Sequence, residues 1–168
     1  SRVRPIWKRK GSKERRSKQR KRKVKQTNPM PKRSPKQTRK PLINLESAIN
    51  HPCQALADWK TLEDRKVPQR AKFVLSWANH PRVTPLAVPA ATVHMAAQRG
   101  MEVVVLRPEG YALPSQIMDT ARAAAAASGG SVTETTDRVS AMQGAHVLYA
   151  KEWGSTAHYG DAVADAAL

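Results

Sequence analysis

All of the chain's excess positive charge sits in its first 40 residues. They carry 19 Lys and Arg against a single acid, Glu14, while residues 41–168 set 11 bases against 12 acids. The formal +17 is therefore a property of one segment and says nothing about a globular part. Only Val3, Ile6, Trp7, Val24 and Met30 are apolar within that segment. Burial of five such side chains does not offset the entropy of ordering 40 residues, so residues 1–40 are expected to be a disordered Lys/Arg-rich tail. A core can be built only from residue 41 onward, and a stretch of that length suffices for one modest domain.

Within residues 41–168, strand-like and helix-like segments alternate, punctuated by Pro and Gly. Pro41–Leu45 is short, apolar and turn-bounded, and predicts a strand. Pro52 sets the start of a helix, where a missing N–H costs nothing, with Ala55, Leu56, Trp59 and Leu62 as its buried stripe. Lys72–Trp77 predicts a second strand, and Pro89 a helix through Val93, Ala96 and Ala97 to a stop at Gly100. Met101–Leu106 carries the β-branched run of a central parallel strand. Pro114 opens a helix through Ile117, Ala121 and Ala125 that ends at Gly129-Gly130. A short strand over Ser131–Glu134, an N-cap at Asp137 for a helix closed by Gly144, and a strand over Ala145–Ala150 complete the series. The alternation predicts an α/β fold with a mainly parallel sheet and flanking helices.

Ligands of such sheets bind beyond the carboxyl ends of the strands. The residues that follow the strands are Glu46 with His51-Pro52-Cys53-Gln54, His80-Pro81-Arg82, Arg107-Pro108-Glu109-Gly110, and Lys151-Glu152-Trp153-Gly154. That edge is rich in cations and hydrogen-bond donors. It has no Gly-rich phosphate loop and no nucleophile paired with a base, and it suits an anionic ligand with a polarised carbonyl better than covalent catalysis. Cys53 beside His51 is a poor thiol nucleophile, because neighbours at a helix start rarely face each other. His94 and Met95 are expected to pack within their helix, Arg107 to be an exposed strand-end arginine, and His158-Tyr159-Gly160-Asp161 to form a loop near the ligand. The single cysteine excludes an internal disulfide and a cysteine-clustered zinc site. It fits a reducing, cytoplasmic setting, and no apolar run approaches membrane-spanning length.

His51-Pro52-Cys53-Gln54, followed by Ala55-Leu56-Ala57-Asp58, resembles the His-Pro-x-Gln motif of the aspartate and ornithine carbamoyltransferases. Asn44-Leu45-Glu46, Trp77-Ala78-Asn79-His80-Pro81-Arg82 with Ala87-Val88-Pro89, and Tyr149-Ala150-Lys151-Glu152-Trp153-Gly154 are similar to the subfamily acting on N-acetylornithine and N-succinylornithine. The resemblance runs in order through residues 41–168. It implies an enzyme that moves a carbamoyl group from carbamoyl phosphate to the δ-amine of an N-acylornithine in arginine biosynthesis, without metal or organic cofactor. It implies that His51, Pro52, Cys53 and Gln54 hold carbamoyl phosphate, with His51 and Gln54 catalytic, and that Glu46, His80 and Lys151 bind the acylornithine. It also implies a homotrimer in the complete enzyme. The acyl group, acetyl or succinyl, stays open.

The Ser-x-Arg-Thr-Arg phosphate motif of that family does not occur in this sequence, nor does the later His-Cys-Leu-Pro motif. The chain also begins with Ser. Residues 41–66 are therefore expected to be the end of a carbamoyl-phosphate domain with its crossover helix, and residues 67–168 a partial acylornithine domain. A chain of this extent is expected to have little transferase activity by itself. The basic segment has two readings, a non-native extension or an arm for non-specific polyanion binding such as nucleic acid.

Overall fold

A computed structural model describes residues 40–80, 84–158 and 162–165. The expected disorder of the basic segment lies outside these, since only Lys40 of it is described. The elements are α1 (Pro52–Asp64), β1 (Lys72–Trp77), α2 (Ala87–Gln98), β2 (Glu102–Leu106), α3 (Ser115–Ser128), β3 (Ser131–Thr135), α4 (Arg138–Met142), β4 (Val147–Lys151) and α5 (Ala162–Asp165). The four strands form one sheet in the order β3-β2-β1-β4, and every pairing is parallel. The mainly parallel α/β layering expected from the sequence is what the chain adopts. From Leu42 onward the described residues form a single compact unit.

The pleat decides which side chains meet which layer. Phe73, Leu75, Val103 and Val105 point to the face covered by α2 and α3, where they pack with Val93, Ala96, Ala97, Met118, Ala121 and Ala125. Val74, Val104 and Leu106 point to the opposite face, where Ala141 of α4 covers them. Asp137 caps α4 as its position predicts, accepting from the Val139 and Ser140 amides at 3.0 and 3.3 Å.

Glycine governs the amino edge of the sheet. Gly100 ends the α2 turn at φ +82°, and a Cβ there would lie 2.9 Å from the Ser128 carbonyl oxygen. At Gly130 a Cβ would meet the Met101 carbonyl oxygen at 2.6 Å, against backbone that has no side chain to swing aside. Gly130→Ala is expected to cost about 1–3 kcal/mol through this overpacking, read as a lower urea midpoint with an unchanged m-value.

Three expectations are corrected. Pro41–Leu45 is not a strand, and Leu42, Ile43 and Leu45 are exposed. A strand exists only as part of a hydrogen-bonded ladder, and none of the four described strands lies beside this segment. Leu56 is 71% exposed, so the buried stripe of α1 is reduced to Leu62, with Ala55 and Trp59 partly covered. The reason is that α1 packs along α2 at the margin of the core instead of lying across the sheet. The second helix begins at Ala87, two residues before Pro89. Proline is tolerated there because amides of the first helical turn have no intrahelical partner.

One polar clasp fixes α1 to α2. Arg99 is only 5% exposed. Its Nε donates to Glu63 Oε1 at 2.9 Å, Nη2 to the Val67 carbonyl at 2.6 Å, and Nη1 to the Pro68 carbonyl at 3.1 Å.

Candidate functional site

The carboxyl edge of the sheet and the amino end of α1 carry the chemically capable groups. In the sheet, Trp77 of β1 stands opposite Lys151 of β4, and the Ala78 amide donates to the Lys151 carbonyl at 3.1 Å. Thr84 closes a small polar knot at this end of the sheet. Lys151 Nζ donates to Thr84 Oγ1 at 2.7 Å and to the Glu152 carbonyl at 2.8 Å. The Thr84 hydroxyl donates to that same carbonyl at 2.9 Å, and the Thr84 amide to Glu152 Oε2 at 2.8 Å. Asn79, His80, Thr84, Lys151 and Glu152 line a hollow of about 290 Å³ here. An ammonium has three donors, and among the described residues two of those on Lys151 are engaged.

The second cluster is built on the first turn of α1. His51 is the N-cap residue at φ −131°, ψ 71°, and Pro52 occupies the first turn. The His51 side chain does not cap the helix. Its Nε2 instead lies 4.0 Å from Glu46 Oε2, and its Nδ1 is enclosed without a hydrogen-bond partner. The exposed Cys53 thiol has a loose 3.9 Å contact with the Asn44 carbonyl, with no geometry that pairs it with a base. Gln54 Nε2 donates to Asp58 Oδ1 at 2.8 Å, one helical turn on.

These clusters share one edge. Glu63 near the end of α1 meets Arg99 just past the end of α2, and Pro52 and Ala55 share a groove with Ala91 and His94. The two helices thus run side by side in the same direction. Since α2 departs from the carboxyl edge of β1, the His51 end of α1 lies toward that edge as well. Asp58 completes the link by facing Tyr149 of β4, two residues before Lys151. Burial is the main cause that raises the Tyr149 phenol pKa; the Asp58 carboxylate adds to it and the Thr92 hydroxyl opposes it. Asp58 Oδ2 and Thr92 Oγ1 are both enclosed and close no hydrogen bond of ordinary length.

Other sequence-derived candidates are placed differently. Arg107 is not an exposed strand-end arginine: it is largely covered, with Nε donating to Glu134 Oε1 at 2.9 Å and Nη1 3.5 Å from Glu109 Oε2. The bond to Glu134 is the chief reason its pKa is raised further. Its charge is taken up by the protein. Met95 is buried, while His94 is half-buried in the α1–α2 groove. Pro81, Arg82 and Tyr159-Gly160-Asp161 lie outside the described residues. Thr84 escaped the sequence reading, and Glu152 was placed there at the edge without a role of its own. Glu152 follows Lys151 directly, a weak cue, whereas no pattern marks Thr84, whose contacts are to residues 67 and 68 positions away in sequence. Among the described residues, no cluster of three or more His, Cys, Asp or Glu is placed to hold a metal ion, and no helix is long and apolar enough to cross a membrane.

Residues 88–164 match the family model described as aspartate/ornithine carbamoyltransferase, Asp/Orn binding domain. An N-acetylornithine carbamoyltransferase of Xanthomonas campestris pv. campestris is 39% identical over 125 residues, which cover 72% of this chain and 37% of that protein. An N-succinylornithine carbamoyltransferase of Bacteroides fragilis is 35% identical over 116 residues, or 69% of this chain and 33% of that protein. The crystal structure of an acetylornithine transcarbamylase complexed with acetylcitrulline superposes with a TM-score of 0.69 at 38% identity, covering 75% of this chain and 39% of its own. The chain spans about a third of the length of the relatives it matches.

Proposed function

We propose, for a chain whose residues 88–164 belong to the Asp/Orn-binding domain of the aspartate/ornithine carbamoyltransferase family, that its described unit is the acylornithine side of a carbamoyltransferase together with the helix that reaches the carbamoyl phosphate side. The substrates are carbamoyl phosphate and an N-acylornithine, acetyl or succinyl. The δ-amine attacks the carbamoyl carbon, a C–N bond forms, the C–O bond to phosphate breaks, and the amine loses a proton. Neither metal nor organic cofactor takes part. The complete enzyme is a homotrimer.

Each role follows from the chemistry of its group. His51 donates to the carbamoyl oxygen and polarises the carbon under attack. Gln54 accepts from the carbamoyl NH2, and Pro52 and Cys53 shape the helix start, whose unpaired amides favour an anion. Glu46, exposed and 4.0 Å from His51, holds the δ-ammonium before it deprotonates. Acylation removes the α-amino charge, so the rest of the ligand offers a carboxylate and an amide. The Lys151 ammonium suits the carboxylate, and His80 across the same hollow suits the amide. In this reading residues 41–66 end the carbamoyl-phosphate domain and supply the crossover helix, and residues 67–168 form part of the acylornithine domain.

The observation that carries the reading is the meeting of His80 and Lys151 around one hollow at the sheet's carboxyl edge, the edge toward which His51 also lies. Calorimetric titration of the 168-residue chain with N-acetylornithine and N-succinylornithine tests it. Binding of one of them, weakened about tenfold or more by Lys151→Ala, is expected for the loss of a charge-assisted hydrogen bond. Equal affinity in the two proteins removes Lys151 from the site. Purified chain supplied with carbamoyl phosphate and either acylornithine is expected to give no turnover above background, and turnover overturns the reading as a partial enzyme.

A further inference from the structure

The Gln54 side chain presents two chemically opposite ends, an acceptor oxygen and a donor NH2, and which end faces the ligand decides what it recognises. We infer that Asp58 is a positioning residue that fixes this choice: its carboxylate holds the Gln54 NH2 inward and leaves Gln54 Oε1 outward, as an acceptor that selects a carbamoyl NH2 over an isosteric methyl group. The inference rests on the reading of Gln54 as a carbamoyl contact.

The argument starts from helix geometry. Residues four apart stack on one face of a helix, and Gln54 Nε2 lies 2.8 Å from Asp58 Oδ1. An ionised carboxylate only accepts hydrogen bonds. Turning the Gln54 amide by 180° would set its oxygen against the Asp58 oxygens, so only one orientation is tolerated. Asp58 itself has little freedom to swing away. It is half-buried, and its second oxygen is enclosed against the seam where Tyr149 of β4 faces it.

That second oxygen is left without a close donor. Among the described residues Asp58 Oδ2 closes no hydrogen bond of ordinary length, and the group that faces it is the Tyr149 phenol. A group that breaks local satisfaction while fixing a neighbour's orientation is characteristic of functional sites. The consequence for specificity is direct. Acetyl phosphate has nearly the shape of carbamoyl phosphate but no N–H to give, and it would leave Gln54 Oε1 unmatched.

The test is a side-chain amide NMR measurement on the full 168-residue chain with 15N-labelled glutamine, the Gln54 signals being assigned by their loss in Gln54→Ala. In the unmodified chain one Gln54 NH2 proton is expected downfield and slow to exchange. Asp58→Asn keeps shape and volume but can donate as well as accept. It should return the Gln54 signals toward those of exposed glutamines, with near-UV circular dichroism unchanged. Asp58→Glu keeps the acceptor and should preserve part of the shift, which guards against a variant that simply fails to fold. Identical Gln54 signals in the unmodified chain and in Asp58→Asn would overturn the inference. Millimolar carbamoyl phosphate is expected to move the Gln54 signals of the unmodified chain, and acetyl phosphate is not. Equal responses to both would overturn the selectivity. If carbamoyl phosphate moves nothing while Asp58→Asn still collapses the Gln54 shift, the orientation by Asp58 stands and the carbamoyl reading of Gln54 falls.

Discussion

Trp153→Ala is expected to remove about 3–5 kcal/mol of stability, in the range of buried aromatic truncations. Trp153 is fully buried, 0% exposed, and is the largest side chain so enclosed. Packing is only part of its role. Its Nε1 donates to the Tyr111 carbonyl at 2.9 Å, and its own carbonyl accepts from Trp77 Nε1 at 2.9 Å. Trp77 and Tyr111 in turn pack at a tilt of 49° with ring centroids 4.7 Å apart. Trp153, two residues beyond β4, therefore ties together the chain ends leaving β1 and β2. Domains of this size have about 5–15 kcal/mol in total, so the variant should be largely unfolded in modest urea. Trp153→Phe keeps most of the apolar volume and loses the N–H, and a cost of about 1–2 kcal/mol is expected. Urea titrations followed by far-UV circular dichroism give both values. A loss below about 1 kcal/mol for the alanine variant would contradict the packing described for this residue.

Arg99→Ala is expected to cost about 2–4 kcal/mol, and the partner that matters is the backbone, not the acid. Glu63 is more than half exposed, so its ion pair with Arg99 is screened by water. Glu63→Gln should change stability by less than about 1 kcal/mol. The Val67 and Pro68 carbonyls are different. Both lie in the turn between α1 and β1, and both take their donors from the guanidinium. Arg99→Lys should recover little, because a point ammonium does not reproduce a fork that reaches two carbonyls and a carboxylate at once. Thermal and urea unfolding of the three variants separates these contributions. Equal losses in Glu63→Gln and Arg99→Ala would move the energy to the ion pair.

Legibility of the fold followed the range of the interactions involved. Lys72–Trp77 was readable to the residue because it is a central strand with apolar side chains on both faces. Asp137 was readable because capping is decided within three residues. The stop of α3 was readable in Gly129-Gly130, and Gly129 takes the left-handed conformation that ends the helix. Pro41–Leu45 failed as a strand because pairing needs a second chain segment, which no local pattern supplies. Leu56 failed because apolar spacing states that a helix has a face to bury, not that something covers it. In the site, His51, Gln54, His80 and Lys151 were visible as polar residues placed after strands or at a helix start. Asp58 was visible only as part of the motif, and Thr84 not at all. Their importance arises from a one-turn contact and from contacts between residues far apart in sequence, which are facts of three dimensions. Arg107 looked like a free cation because Glu134, its partner, stands 27 positions away in sequence.

The clasp at Arg99 has a mechanical consequence. Among the described residues it is the polar fastening between α1 and α2, and it grips α1 at the end far from His51. A helix of 13 residues is a rod of about 20 Å. Rotation by about 5° about the fastened end carries the far tip through about 2 Å, which is enough to make or break a hydrogen bond. A tilt of that size about the Arg99 end would displace His51 and Gln54 more than any residue nearer the clasp.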